Sequence, residues 1–154
     1  MSVLPWIKTG IVQRNPGELF YATAEEALDD VGYVLTYGTS GVKKATSDDI
    51  PVGVNFLSTI NPVTQQAEAG RTISYVPLHS GFVVKVKKEA VALSKGTYVK
   101  VGSTAGVVTD AGSPPAVDTS NGDASALVKW LRQIVGVVVE DAAESDTHVK
   151  VLLI

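Results

Sequence analysis

Cysteine is absent from the 154 residues of this chain. A chain without thiols forms no disulfides, offers no thiolate ligand to zinc and has no cysteine nucleophile. Histidine is nearly as scarce: His79 and His148 are the two examples, and neither has a second ligand at the spacing of a metal site. The length is enough to bury a core without a crosslink, so we expect neither a metal nor an organic cofactor.

Runs of like charge and long apolar runs are also missing. The 13 Lys and Arg residues against 16 Asp and Glu residues leave a net charge of −3, and the basic residues are scattered. Nucleic acid and membrane surfaces are therefore not expected as partners. No apolar run reaches the roughly 18 residues of a membrane helix, and no signal-peptide pattern opens the chain. We expect a protein made in the cytoplasm.

Catalytic motifs are lacking as well. The chain contains no Gly-x-Ser-x-Gly elbow and no phosphate-binding loop. The glycine-rich stretch 102–106 bridges two predicted strands, which a hairpin turn explains. The acidic residues within 25–30 lie on a predicted helix, where adjacent acids point in different directions, so we interpret them as a solvated face. The sequence therefore predicts a protein that is not an enzyme.

What the chain does contain is two β-branched runs with the same internal glycine. Ile50-Pro-Val-Gly-Val-Asn-Phe-Leu carries Gly53, and Gln133-Ile-Val-Gly-Val-Val-Val-Glu-Asp carries Gly136. A glycine inside a strand usually marks a bulge or the close approach of another backbone. The same feature in both runs indicates one structural unit used twice.

The duplication extends along most of the chain. At an offset of 65, Ala27-Leu28 aligns with Ala92-Leu93, Tyr33-Val34 with Tyr98-Val99 and Gly41-Val42 with Gly106-Val107; later, 73–78 aligns with 149–154. We place repeat one at about 27–88 and repeat two at about 92–154, within a duplicated β domain over 22–154. The strands and turns predict an all-β fold, a single-domain barrel or sandwich of two related meanders with one short helix.

The short helix is predicted at Thr23–Asp30, because Thr23 and Glu26 have the spacing of a capping box. A second segment leaves two possibilities open. It belongs to an insertion at 110–132, in which residues 124–131 have helical apolar spacing but also suit an extension of the next strand. Long loops on β scaffolds often carry function, so Trp130 is a candidate contact residue; the alternative is core or loop packing.

Residues 1–21 remain outside the duplication and form a predicted N-terminal arm. Pro5, Trp6 and Ile7 are its apolar anchors, separated by turn residues from the rest. Two interpretations stay open: these side chains cover the end of the barrel, or the arm becomes ordered only on a partner, to which it adds a strand.

Several stretches together resemble the capsid decoration (cement) proteins of tailed bacteriophages, in particular those with a duplicated glycine-valine β unit. They are Gly41-Val-Lys-Lys-Ala, Ile50-Pro-Val-Gly-Val, Leu93-Ser-Lys-Gly-Thr-Tyr-Val-Lys-Val and Ile134-Val-Gly-Val-Val. The resemblance covers about residues 27–154, apart from the insertion. It implies a structural virion protein on the outer capsid surface, bound to the major capsid protein as a homotrimer and clamping neighbouring subunits of the expanded head.

Within that interpretation, the predicted capsid contacts are Pro5, Trp6, Ile7 and Trp130. Two alternatives remain. The first is a minor virion component of a tail, baseplate or head fibre. The second is a carbohydrate-binding or enzymatic β domain, which requires an aromatic platform or paired carboxylates on one face.

Overall fold

The computed structural model of the protein describes residues 19–154. Short strands dominate them, as the β-branched composition predicts. The elements are β1 (Phe20–Thr23), β2 (Val34–Tyr37), β3 (Val42–Lys44), β4 (Gly53–Asn55), β5 (Thr72–Pro77), β6 (Val83–Lys87), β7 (Tyr98–Val101), β8 (Val108–Asp110), α1 (Ser125–Gln133), β9 (Ile134–Val138) and β10 (His148–Leu153). In this part of the chain, no helix has the length and apolar content needed to cross a membrane.

The strands form two five-stranded antiparallel sheets with the same order. One runs β1-β5-β4-β2-β3 and the other β6-β10-β9-β7-β8. In each sheet the two edges meet through a parallel bridge, Ala24 with Val42 in the first and Lys88 with Val108 in the second. Each sheet therefore curls into a small barrel, here called the first and the second barrel. The predicted all-β fold is confirmed.

The glycines in the two repeated runs lie where another strand passes close by. Gly53 pairs with Pro77 and Gly136 with Leu153. A Cβ on Gly53 would lie 2.6 Å from the carbonyl oxygen of Val76, and one on Gly136 would lie 2.1 Å from that of Leu152. Neither position has room for a side chain, which is the close backbone approach that the sequence indicates.

The pairing shifts the predicted alignment of the repeats by one residue in β2 and β7. Leu35 lies opposite Gly53, and Val99 lies opposite Gly136, so Leu35 rather than Val34 corresponds to Val99. The structural units also begin one strand before the sequence repeats. Strand β1, which includes the last two residues assigned to the arm, corresponds to β6, which the sequence alignment places at the end of repeat one.

The helix predicted at Thr23–Asp30 is wrong. Thr23 ends β1 opposite Thr72, and the following residues are irregular. The backbone N–H of Leu28 donates to Thr59 Oγ1, and the N–H of Thr59 donates to the Leu28 carbonyl, both at 2.8 Å. These long-range bonds use the backbone groups that a helix would need, while the Leu28 side chain is fully buried. The one helix in residues 19–154 is α1.

The two barrels share a hydrophobic core. One cluster joins Val54 and Val76 of the first barrel to Val86, Val99 and Val151 of the second. A further cluster centres on Leu28, Leu35, Val42 and Ile73 of the first barrel and also includes Val107 of the second. Because apolar burial is the main favourable term in folding, a core common to both sheets makes them one packed body.

Candidate functional site

Helix α1 lies in the insertion and is held against the first barrel. The Lys129 ammonium is 2.8 Å from Asp48 Oδ1, and the Gln133 amide donates to the carbonyl of Ser47. At its start, Asp123 Oδ1 accepts the N–H of Ser125 at 2.9 Å. Of the two possibilities that the sequence left open for this segment, the helix is the one observed. The following strand, β9, begins at Ile134.

Trp130 lies on this helix with its indole half buried. Its Nε1–H donates to the carbonyl oxygen of Ala111 at 2.8 Å. Ala111 follows the end of β8, so the bond ties the helix to the start of the long loop that precedes it. Trp130 therefore has the loop-packing role that the sequence named as one alternative, and the rest of its ring borders a groove.

That groove, here called the Trp130 groove, encloses about 420 Å³ between helix α1 and the ends of three strands. Its surface is mostly apolar. The lining residues are His79, Tyr98, Trp130, Leu131, Ile134 and Ile154. Leu131 is 57% exposed, Tyr98 49% and Ile154 40%, so these large side chains meet solvent instead of a core.

Helix α1 contributes Leu131 to this exposed surface. Val128 and Leu131 are exposed, and Gln133 is its one buried residue. A surface helix normally buries its apolar stripe against its own domain. Trp130 and Leu131 instead border an open groove. An exposed apolar surface of this kind is typical of a site that contacts another chain segment.

His79 lies at the rim of the groove in an uncommon backbone conformation. Its φ of 61° is in the left-handed region, within the turn that connects β5 to β6. A non-glycine residue held there costs of the order of 1 kcal/mol, and such strain clusters at functional positions. The turn therefore places the exposed imidazole of His79 at the groove.

The acidic residues near the start of the first barrel form structural contacts. Glu25 Oε1 accepts the N–H of Ser40 at 2.6 Å and its hydroxyl at 3.0 Å, and these bonds lower the pKa of Glu25. Asp30 pairs with Lys87 at 3.3 Å and with His148 at 3.4 Å. Within residues 19–154, no three His, Asp or Glu side chains cluster in a way that could hold a metal ion.

Of the four contact residues predicted from sequence, Trp130 lies in the groove, and Pro5, Trp6 and Ile7 lie outside the described residues. Sequence reasoning missed Tyr98, His79 and Ile154, which come from three different strand ends. Each has an ordinary strand or turn context in sequence, so only their convergence in space marks them. Leu131 carried a signal, because it belongs to the helical apolar pattern of the insertion.

Comparison with protein-family models, with curated proteins and with solved structures found no match to this chain.

Proposed function

We propose that this protein is a structural virion component that binds the outer surface of a tailed-phage capsid and stabilises the expanded head by clamping neighbouring capsid subunits. Two kinds of observation support the proposal. The strand and turn pattern of the sequence resembles capsid decoration proteins, and the Trp130 groove provides an exposed apolar surface on a rigid scaffold. The groove is the observation that carries it, because a clamp needs a surface that is incomplete until it meets a partner.

The groove has the composition of an interface centre. Aromatic residues dominate the binding energy of protein interfaces when apolar neighbours surround them and exclude water. Trp130 and Tyr98 have that setting, with Leu131 and Ile154 beside them. The partner in this proposal is the major capsid protein, and Pro5, Trp6, Ile7 and Trp130 are the proposed contacts.

The proposed assembly on the capsid is a homotrimer. A cyclic trimer uses one heterologous contact three times and leaves three equivalent surfaces for the shell. Once one groove is engaged, the other two bind at a high effective concentration, so modest single contacts add up to stable attachment. Such an arrangement resists separation of capsid subunits without any chemical step.

The copy number of the chain in purified particles of its source tests the proposal. Quantitative mass spectrometry against the most abundant shell protein should give a ratio near one to one, because a cement protein covers the whole head. A ratio of a few per cent or less would overturn it in favour of a tail, baseplate or head-fibre subunit. Complete absence from the particles would exclude both.

A further inference from the structure

The described chain begins at the end of the first barrel where the Trp130 groove opens. Strand β1 runs antiparallel to β5, with Phe20 opposite Tyr75. Leu19, the residue before Phe20, packs against the shared core, and β5 continues beyond Tyr75 through Pro77 to the turn that holds His79. His79 is part of the groove rim. Leu19 therefore lies toward the end of β5 that leads to the groove.

The turn between β5 and β6 also contacts the end of β10. The N–H of Gly81 donates to the carbonyl of Leu153 at 3.1 Å, so the turn after β5 lies against the last residues of the chain. Ile154, the next residue, lines the groove and is 40% exposed. The entry of the chain, the β5–β6 turn and the end of β10 thus meet at one place.

The preceding segment is long enough to return to the groove and has side chains that suit it. Ile7 lies twelve positions before Leu19, and a stretch of that length spans up to about 40 Å when extended, more than the radius of a domain of this size. Pro5, Trp6 and Ile7 are three consecutive apolar residues. Burying them against the exposed side chains of Leu131 and Tyr98 would remove apolar surface of the segment and of the groove from water.

We propose that the Trp130 groove binds the Pro5–Ile7 segment of the same chain. Attachment at Leu19 keeps this segment close to its own groove, so binding within one chain is favoured over binding between copies by its effective concentration. The four contact residues predicted from sequence then meet at one surface, to which helix α1 contributes Trp130. The inference concerns the isolated protein; on the capsid, the proposed contact at Trp130 requires this segment to leave the groove.

The cysteine-free chain allows a direct test by crosslinking. In the variant Ile7→Cys with Leu131→Cys, mild oxidation with copper phenanthroline should close a disulfide within one chain. The expected product is a monomer that migrates faster on a non-reducing gel, formed at least tenfold faster than in the matched control Ile7→Cys with Val63→Cys. Val63 is 88% exposed and does not line the groove.

Each other outcome overturns the proposal. A crosslinked dimer as the main product would mean that the segment binds the groove of a second copy. Crosslinking no faster than in the Val63 control would mean that it does not bind there. Neither result bears on the copy number of the protein in particles, so the proposed function stands or falls separately.

A fluorescence measurement covers the case in which the cysteine variants fold poorly. The sequence has two tryptophans, so in Trp130→Phe the emission comes from Trp6 alone. In this variant, acrylamide should quench the Trp6 emission several-fold less than after denaturation. Adding Leu131→Asp to Trp130→Phe should restore most of the quenching, whereas adding Val63→Asp should not. Because phenylalanine keeps an aromatic ring at position 130, full quenching in the folded Trp130→Phe protein would contradict the proposal.

Discussion

At the scale of single residues, packing between strands explains the most constrained positions. Gly136 has no space for a side chain, because a Cβ would lie 2.1 Å from the Leu152 carbonyl oxygen and 2.6 Å from a methyl group of Val151. The neighbouring atoms include backbone of β10, which moves only if the strand pairing opens. The glycine is therefore required by contact with β10, since its own backbone torsion is not in the left-handed region.

We predict that Gly136→Ala lowers the free energy of unfolding by about 3 kcal/mol, the upper range for overpacking a well-packed site. Urea denaturation followed by fluorescence measures the loss. Gly70→Ala is the matched control, because a Cβ there meets nothing within 4 Å although φ is +86°. Backbone conformation alone should cost about 1 kcal/mol at that position. Equal losses in the two variants would contradict the steric explanation.

At the scale of elements, the two barrels stabilise their glycine turns in the same way. After β1, Glu25 accepts hydrogen bonds from Ser40 in the turn between β2 and β3. After β6, Glu89 accepts hydrogen bonds from Ser103 and Thr104 in the turn between β7 and β8. A carboxylate that follows the first strand of each barrel thus fixes the hairpin on the opposite edge. The duplication therefore includes a side-chain contact as well as a strand order.

These bonds make stability depend on pH in a defined direction. The hydrogen bond from the N–H of Ser40 is the main cause that lowers the pKa of Glu25. For Glu89, burial is the largest influence and raises the pKa, but the hydrogen bonds from Thr104 and Ser103 together outweigh it. The pKa of Glu89 is therefore lowered as well. Because both folded pKa values lie below the usual value of 4.5, the stabilisation is present above that pH. It is lost as pH falls through the folded pKa values.

We therefore predict that Glu25→Gln with Glu89→Gln lowers the melting temperature by several degrees at pH 7, and by progressively less as the pH falls through the folded pKa values, which lie below 4.5. Calorimetry across this pH range measures the difference. Glu144→Gln is the control, because the exposed Glu144 side chain accepts no hydrogen bond within residues 19–154. A deficit that stays the same at every pH down to the acid unfolding of the parent protein would mean that charge on the glutamates plays no part.

At the scale of the whole molecule, one shared hydrophobic core holds the two barrels together. Val54 and Val76 pack with Val86 and Val151, so the barrels support each other across their junction. Tyr33 lies at the same junction, with the ammonium groups of Lys44 and Lys87 at 4.4 and 5.0 Å from its ring centre. Burial and a hydrogen bond to Asp29 raise the pKa of Tyr33, which keeps the phenol protonated.

Such a body should fold without the first residues of the chain. We predict that deleting residues 1–9 abolishes binding to expanded capsid shells but changes the melting temperature by only a few degrees, because the deletion leaves both barrels whole. Cosedimentation with shells that lack the protein measures binding, and Val63→Ala serves as a surface control that should bind normally. Undiminished cosedimentation of the truncated chain would refute the assignment of Pro5, Trp6 and Ile7 as contacts.

Local and periodic features of the sequence were enough to predict the all-β class, the closing strands and the two constrained glycines. The 76-residue offset between Ile73–Leu78 and Val149–Ile154 holds in the structure, where Pro77 and Leu153 lie opposite the two glycines. Alternation of side chains and close backbone contact leave a direct mark on residue type. Those properties belong to each strand and its partner, so they could be read along the chain.

Tertiary structure alone decided the state of the residues after Thr23 and the composition of the groove. The capping-box pattern favoured a helix of about two turns, which is marginal by itself, and pairing of Leu28 with Thr59 outcompeted it. The groove joins Tyr98 to Trp130 and Ile154, residues from three elements with no shared spacing. Their proximity follows from how the barrels close and pack, and long-range packing energy leaves no local pattern in the residues that it brings together.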